Sequence, residues 1–259
     1  MSRTGDRLAL PQVTLCAASS VNVAATLRAL EASMAQVEFA ACLFFTDAAV
    51  TPAHPGITIV PIAPLTSAAA YSDFLLTRMV DHVATSHCLI AQWDGHVVDA
   101  GQWCVDFLDF DYIGASWPQF ADGHDVGNGG FSLRSARLMA LCRGKGFAGF
   151  HPEDVAIGRD NRAWLEGQGM RFAPRALADR FSAERAGDVA ASFGYHGVWH
   201  MPRAIGVAAF WDIYCTLDDR STVRHDFGVL WRALGQVDHF GCRRFRMIWD
   251  YIKDAVPRR

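Results

Sequence analysis

Four short stretches of this chain carry residue types and spacings that can do chemistry. Pro152-Glu153-Asp154-Val155 sets two carboxylates side by side at a predicted helix start, a rigid support from which a carboxylate can act as a base. Acids in a first helical turn are also ordinary helix electrostatics, so the pair alone leaves both readings open. Gln92-Trp93-Asp94-Gly95 puts Asp94 at the end of an apolar run. The carboxyl edge of an open α/β sheet is where ligands bind, although Asp-Gly is also common turn chemistry. Val126-Gly127-Asn128-Gly129-Gly130 holds three glycines within four residues. Such a cluster beside a strand is either a tight turn or a floor that a ligand can approach closely. Finally, residues 192–200 set His196 and His200 among aromatics and glycines. A histidine there is either a packed, hydrogen-bonded side chain or a ligand that joins the upstream carboxylates.

The elements that would position these residues follow from apolar periodicity. Residues 12–18 read as a strand, Ser19-Ser20 as a turn, and Val21, Ala24, Leu27, Leu30 and Met34 as the apolar face of a helix. Residues 37–46, 56–62 and 88–91 read as further strands, with a helix over 71–83. Strands alternating with helices predict an α/β fold with a mainly parallel sheet covered on both faces. Further on, a short helix is expected over 103–108, an aromatic strand over 109–117, a helix capped by Ser135, and a helix running from Pro152 to Leu165. Residues 170–174 resemble a strand. From Ile205 the pattern is helical only, near 208–217, 222–234 and 242–255. The expected division is a body over residues 1–203 and a C-terminal helical extension over 204–259, packed on the body or at an interface.

Composition narrows the function classes. With 51% hydrophobic residues and a net charge of −3, the chain is a folded protein with no basic stripe for a phosphate backbone, so no nucleic-acid partner is expected. Charged and polar residues break every apolar run short of the roughly 18 residues a membrane span requires, so no transmembrane segment is expected. The first residues do not read as a secretory leader, which points to the cytoplasm. The seven cysteines form no C-x-x-C and read as small core residues in a reducing compartment. Residues 243–253 form an amphipathic helix with basic ends. Its aromatic face suits packing against the body or another subunit, or peripheral contact with the inner face of a membrane.

The runs QWDG (92–95), FLDFDYIGASW (107–117), VGNGGFSLRS (126–135), PEDV (152–155), FAPRALADRFSAE (172–184) and SFGYHGVW (192–199) occur in an order and spacing that resembles a widespread family of glycosyltransferase-like domains of largely unassigned activity. The resemblance spans about residues 71–199 and implies a Rossmann-like GT-A fold. It also implies an enzyme that moves a sugar from a nucleoside-diphosphate sugar to a hydroxyl of a glycan acceptor, with inversion, assisted by a divalent metal such as manganese or magnesium.

On that resemblance, Asp94 and His196 hold the metal. Gln92, Trp93, Ser19 and Ser20 line the nucleotide pocket; Asn128, Gly129, Gly130 and Trp117 meet the donor sugar and acceptor. Asp154 is the base, with Glu153 a supporting acceptor. The chain departs from the family pattern at Gln92, which stands where a D-x-D motif has its first aspartate. That departure keeps a second reading in view: a module that binds a nucleotide sugar or carbohydrate without turning it over.

Overall fold

The computed structural model describes residues 7–236 and 241–255; residues 1–6, read above for a leader, lie outside that range. Met1–His196 and Gly197–Arg259 form two compact units.

The first unit runs β1 (Leu8–Ala18), α1 (Val23–Gln36), β2 (Val37–Thr46), β3 (Ile57–Pro61), α2 (Ala68–Thr77), β4 (His87–Ala91), β5 (Tyr112–Ile113), β6 (Phe131–Ser135), α3 (Ala136–Cys142), α4 (Glu153–Val155), α5 (Arg162–Gly167), α6 (Arg175–Phe181), β7 (Ser182–Ala183) and β8 (Gly194–Tyr195). The main sheet has the order β3-β2-β1-β4-β6-β5. The first four strands in sequence are mutually parallel, while β6 is antiparallel to both β4 and β5. It is therefore a mixed, mainly parallel α/β sheet, as the alternation of apolar runs predicts.

Side chains alternate across a strand, and β1 shows how that builds a core on each face. Val13, Leu15 and Ala17 join Leu30 of α1 and Phe131 and Leu133 of β6 in one cluster. Cys16 and Ala18 join Phe74 and Leu75 of α2 and Met139 of α3 in another. Cys16, Cys42, Cys88 and Cys142 are buried as expected, whereas Cys242 is exposed.

Several expected elements are shorter or differently phased. Asn22 adopts a left-handed conformation (φ 52°) and turns the chain, so α1 starts at Val23 and buries Ala25, Ala29, Leu30 and Met34, leaving Val21 exposed. The aromatic strand narrows to Tyr112–Ile113, because Trp117 N–H turns to the Asp125 carbonyl and Ser116 bridges Val126. The segment 170–174 makes only a bridge from Phe172 to Tyr112, and the helix expected over 103–108 is a 3-10 turn, Val105–Asp109. After Pro152 the helix is interrupted by a π turn, Ala156–Asp160, where the Asn161 amide donates to the Ala156 carbonyl at 3.0 Å. A side chain inserted into the helical ladder is a recognised cause of such a bulge.

The second unit contains α7 (Met201–Ala204), α8 (Val207–Tyr214), α9 (Ser221–His225), α10 (Phe227–Gly235) and α11 (Cys242–Ala255). Phe210, Tyr214, Leu230, Leu234 and Met247 are buried there. The single helix expected over 222–234 breaks at Asp226. The aromatic face of α11, which packing would hide, is exposed.

Candidate active site

From β1 the chain builds outward through β2 and β3, then returns to place β4 on the other side of β1. Such a reversal of strand order opens a crevice at the carboxyl ends of the two central strands. Ser19-Ser20 leave β1 and Gln92-Trp93-Asp94 leave β4 at that edge, since Cys16 and Ile90 are in register. Gly95 N–H donates to the Gln92 carbonyl at 3.1 Å and closes the turn, which leaves Asp94 buried beneath it.

The small sheet of β7 and β8 delivers two more groups. Ser182 pairs with Gly194 and Ala183 with Tyr195, so the residues that follow each strand, Glu184 and His196, emerge side by side. His196 N–H donates to the Ala183 carbonyl at 2.9 Å and fixes that exit. The imidazole then lies between two carboxylates, with Nε2 3.6 Å from Asp94 Oδ1 and Nδ1 3.5 Å from Glu184 Oε1. Burial alone would lower its pKa, but Asp94 and then Glu184 outweigh that and raise it to about 9. Nε2 also donates to Gln92 Oε1 at 3.2 Å, and the Gln92 amide donates to Tyr71 Oη at 2.8 Å.

The glycine stretch is the surface between this cluster and the acid pair. A Cβ on Gly130 would overlap the His196 ring. One on Gly129 would stand 2.7 Å from Glu153 Oε1 and 3.1 Å from Asp154 Cβ. Neither residue has a left-handed φ, so what each position requires is space rather than an unusual backbone. Asn128 Oδ1 accepts from Gly130 N–H at 3.0 Å and holds the bend.

The two adjacent acids have different surroundings. Glu153 is buried, accepts from Arg134 Nη2 at 3.1 Å and from Ser72 Oγ at 3.0 Å, and so is held beneath Gly129. Arg134, only 1% exposed, also donates to Ser132 Oγ at 3.1 Å. Asp154 instead accepts backbone N–H groups, from Gly129 at 3.2 Å and Val155 at 2.8 Å. Burial, and then repulsion from Glu153, push its pKa up to about 6. A carboxylate poised near neutrality is suited to take a proton.

Thus Gln92, Asp94, Gly130 and His196 form one connected group, and Gly129, Glu153 and Asp154 another that adjoins it through the Gly129-Gly130 backbone. Trp117, expected to face the donor sugar, is buried against Gly127 and Gly158 and belongs to the packing below the floor. Ser19 and Ser20 stay at the β1 edge, where Ser20 Oγ accepts from Leu65 N–H at 2.8 Å. Trp93 is half-buried beside Asp94. Sequence reasoning missed Arg134, Glu184, Tyr71 and Ser72. Only Arg134 carries a readable signal: a charge inside a five-residue strand with no other ionisable group demands a buried counter-charge.

Among the described residues no three His, Cys, Asp or Glu side chains are grouped to hold a metal ion. Asp94 Oδ1 and His196 Nε2 lie 3.6 Å apart, wider than the roughly 3 Å between adjacent ligands of an octahedral ion, and Nε2 becomes a ligand only on releasing the proton it gives to Gln92 Oε1. The donor chemistry, a carboxylate oxygen and an imidazole nitrogen, fits a divalent cation that takes its remaining ligands from elsewhere.

Fold and site together define an α/β protein with an acid–imidazole cluster at the switch point of its sheet. The chain belongs to the family described as "Protein of unknown function (DUF5672)", whose model matches residues 56–196 and so takes in every residue of the two groups above. No curated protein matches the chain. Among solved structures it is similar to the mannosyltransferase PcManGT from Pyrobaculum calidifontis, in complex with GDP-Man and Mn2+, at 11% identity and TM-score 0.46, covering 91% of this chain and 79% of that one. It is also similar to a glycosyltransferase involved in glycosylation of the major capsid of PBCV-1, at 9% identity and TM-score 0.43, covering 79% of this chain and 99% of that one. A third is the apo-form glycosyltransferase GlyE of Streptococcus pneumoniae TIGR4, at 12% identity and TM-score 0.39, covering 78% and 51%. At such identities none of these chains lends a residue role to this one.

Proposed function

We propose that this chain is a glycosyltransferase of the GT-A type, which moves a sugar from a nucleoside-diphosphate sugar to a hydroxyl of a glycan acceptor with inversion. The observation that carries this reading is the facing of two unlike groups across Gly129-Gly130: Asp94, His196 and Glu184 on one side, Asp154 on the other. A transfer with inversion needs charge control at the leaving group and a base at the opposite face. Asp154 takes the proton of the acceptor hydroxyl as its oxygen bonds to the anomeric carbon, and the bond from that carbon to the diphosphate oxygen breaks. Glu153, held by Arg134 and Ser72, positions the Asp154 backbone and sets its repulsive neighbour. Gly129 and Gly130 make the room in which Glu153, Asp154 and the His196 ring sit, and Asn128 holds their bend. Ser19, Ser20, Gln92 and Trp93, at the ends of β1 and β4, are assigned to the nucleotide. Asp94 and His196 would hold a divalent cation, manganese or magnesium, whose charge offsets that of the departing diphosphate.

The experiment is a panel of nucleotide sugars with manganese or magnesium, reading both nucleotide release and calorimetric binding. Release that depends on acceptor, and that Asp154→Asn and Asp94→Asn each abolish, supports the assignment. Binding of the nucleoside diphosphate should tighten with manganese in the wild-type chain and lose that dependence in Asp94→Asn. Tight binding with no release under any acceptor replaces the enzyme with a binding module, a reading that the occupation of Gln92 by Tyr71 and His196 keeps in play.

A further inference from the structure

The second unit presents one feature that sugar transfer does not use. In α11, Phe245, Ile248, Trp249 and Ile252 recur at i, i+3, i+4 and i+7 and so share one stripe. All four are exposed, Phe245 by 72%, Trp249 by 68% and Ile252 by 56%. The opposite stripe is the one that packs. Met247 is buried, Tyr214 Oη donates to Asp250 Oδ2 at 3.0 Å, Arg224 Nη1 donates to the Asp254 carbonyl at 3.0 Å, and Arg220 Nη1 lies 3.7 Å from Asp254 Oδ2. The helix is thus docked by its acidic side and offers its apolar side outward, the reverse of a surface helix that covers a core.

Charge says what the apolar side meets. Lys253 and Arg246, whose Nε lies 3.6 Å from Asp250 Oδ2, are exposed and flank the stripe on one side, where their long stems can lie along apolar surface. From Gly197 onward the chain holds ten Lys and Arg against seven Asp and Glu, while the preceding residues hold 14 against 20. The net charges are +3 and −6. Against a second copy, a self-complementary contact through this stripe would bring like basic flanks together. Against an anionic lipid surface the same flanks are attracted, and tryptophan is the side chain that favours the interfacial layer. No helix among the described residues is long and apolar enough to cross a membrane, and α11, about 21 Å long, suits a position in the plane of the interface.

We propose that α11 is an in-plane membrane anchor that binds anionic bilayers through Phe245, Ile248, Trp249 and Ile252, with Arg246 and Lys253 contacting lipid headgroups. The proposal stands independently of the transferase reading, since its test needs no turnover. The full chain is sedimented with vesicles of phosphatidylcholine alone and of phosphatidylcholine mixed with phosphatidylglycerol, at low and high salt. Partitioning should be at least about tenfold stronger on the anionic vesicles and weaken with salt. Arg246→Gln with Lys253→Gln should reduce it about fivefold for each charge removed. Phe245→Ser with Trp249→Ser should abolish it, while circular dichroism and thermal melting stay unchanged because both side chains face outward. Equal partitioning on the two vesicle types, no partitioning, or partitioning indifferent to both double variants overturns the anchor. So does a concentration-dependent dimer in light scattering that Phe245→Ser with Trp249→Ser dissociates, which would make a second copy the occupant.

Discussion

Asp154 is a residue whose environment acts on stability and on chemistry in opposite directions. Its folded pKa, raised to about 6, stands above the roughly 3.9 of an unfolded aspartate. Between those values the folded state binds more protons at this carboxyl, so the contribution of Asp154 to stability falls as pH rises from about 4 to about 6 and is flat above. Asp154→Asn removes that slope: the Tm difference, variant minus wild type, should grow across this window by the equivalent of about 1–3 kcal/mol and then level off. The amide oxygen can keep only one of the two backbone N–H bonds, which offsets part of the gain. Turnover should fall by about 10²–10⁴, the usual contribution of a general base. If Asp154 is the base, kcat/KM of the wild-type chain should decline as pH drops below about 6, where that carboxyl is protonated; a flat profile would remove Asp154 from that role. Gly130→Ala tests the floor, since its methyl group must displace the His196 ring from Asp94. It should cost about 1–3 kcal/mol in denaturant unfolding and lower nucleotide affinity with it.

At the scale of elements, β6 and α4 are joined by the Arg134–Glu153 pair, both members nearly inaccessible to water. Removing one partner of such a pair strands the other charge, so Arg134→Met should destabilise by about 3–5 kcal/mol. Arg134→Met combined with Glu153→Gln should recover much of that loss, as read from urea midpoints in a double-mutant cycle. Arg134 also marks the limit of what the sequence makes legible. Apolar runs announced β2, β3 and β4 to within a residue at each end and the carboxyl end of β1, whose first four residues, Leu8–Pro11, they missed. Glycines and acids announced the bend at 127–130 and the acid pair that adjoins it. The clustering of Glu184 with His196 was not readable, because it depends on two strands of two residues each, too short to show a period in the sequence. The break at Ala156–Asp160 was hidden for a similar reason, since it follows from where the Asn161 side chain reaches. The exposure of the α11 aromatics was equally silent: periodicity identifies an apolar stripe but not which way it faces.

For the whole molecule, one consequence joins the proposed activity to the proposed anchor. If α11 holds the chain on a bilayer, Phe245→Ser with Trp249→Ser should lower kcat/KM for an acceptor embedded in anionic vesicles at least about tenfold. Turnover of a freely dissolved acceptor should stay within about twofold, because these side chains are far in sequence from the proposed base and metal ligands and lie outside the matched family region. Equal losses on both acceptors would mean that the substitutions damage the enzyme rather than its address. The order of elements also has a consequence in time. Asp94 leaves the ribosome about a hundred residues ahead of His196, a delay of about 5–20 s at ordinary rates of synthesis. β5 and β6 are made within that interval, so all six strands of the sheet exist only 61 residues ahead of the imidazole that fills the space above Gly130. The acid–imidazole cluster is therefore the last piece of the sheet edge to close, so a nascent chain holds all six strands before it holds a formed site.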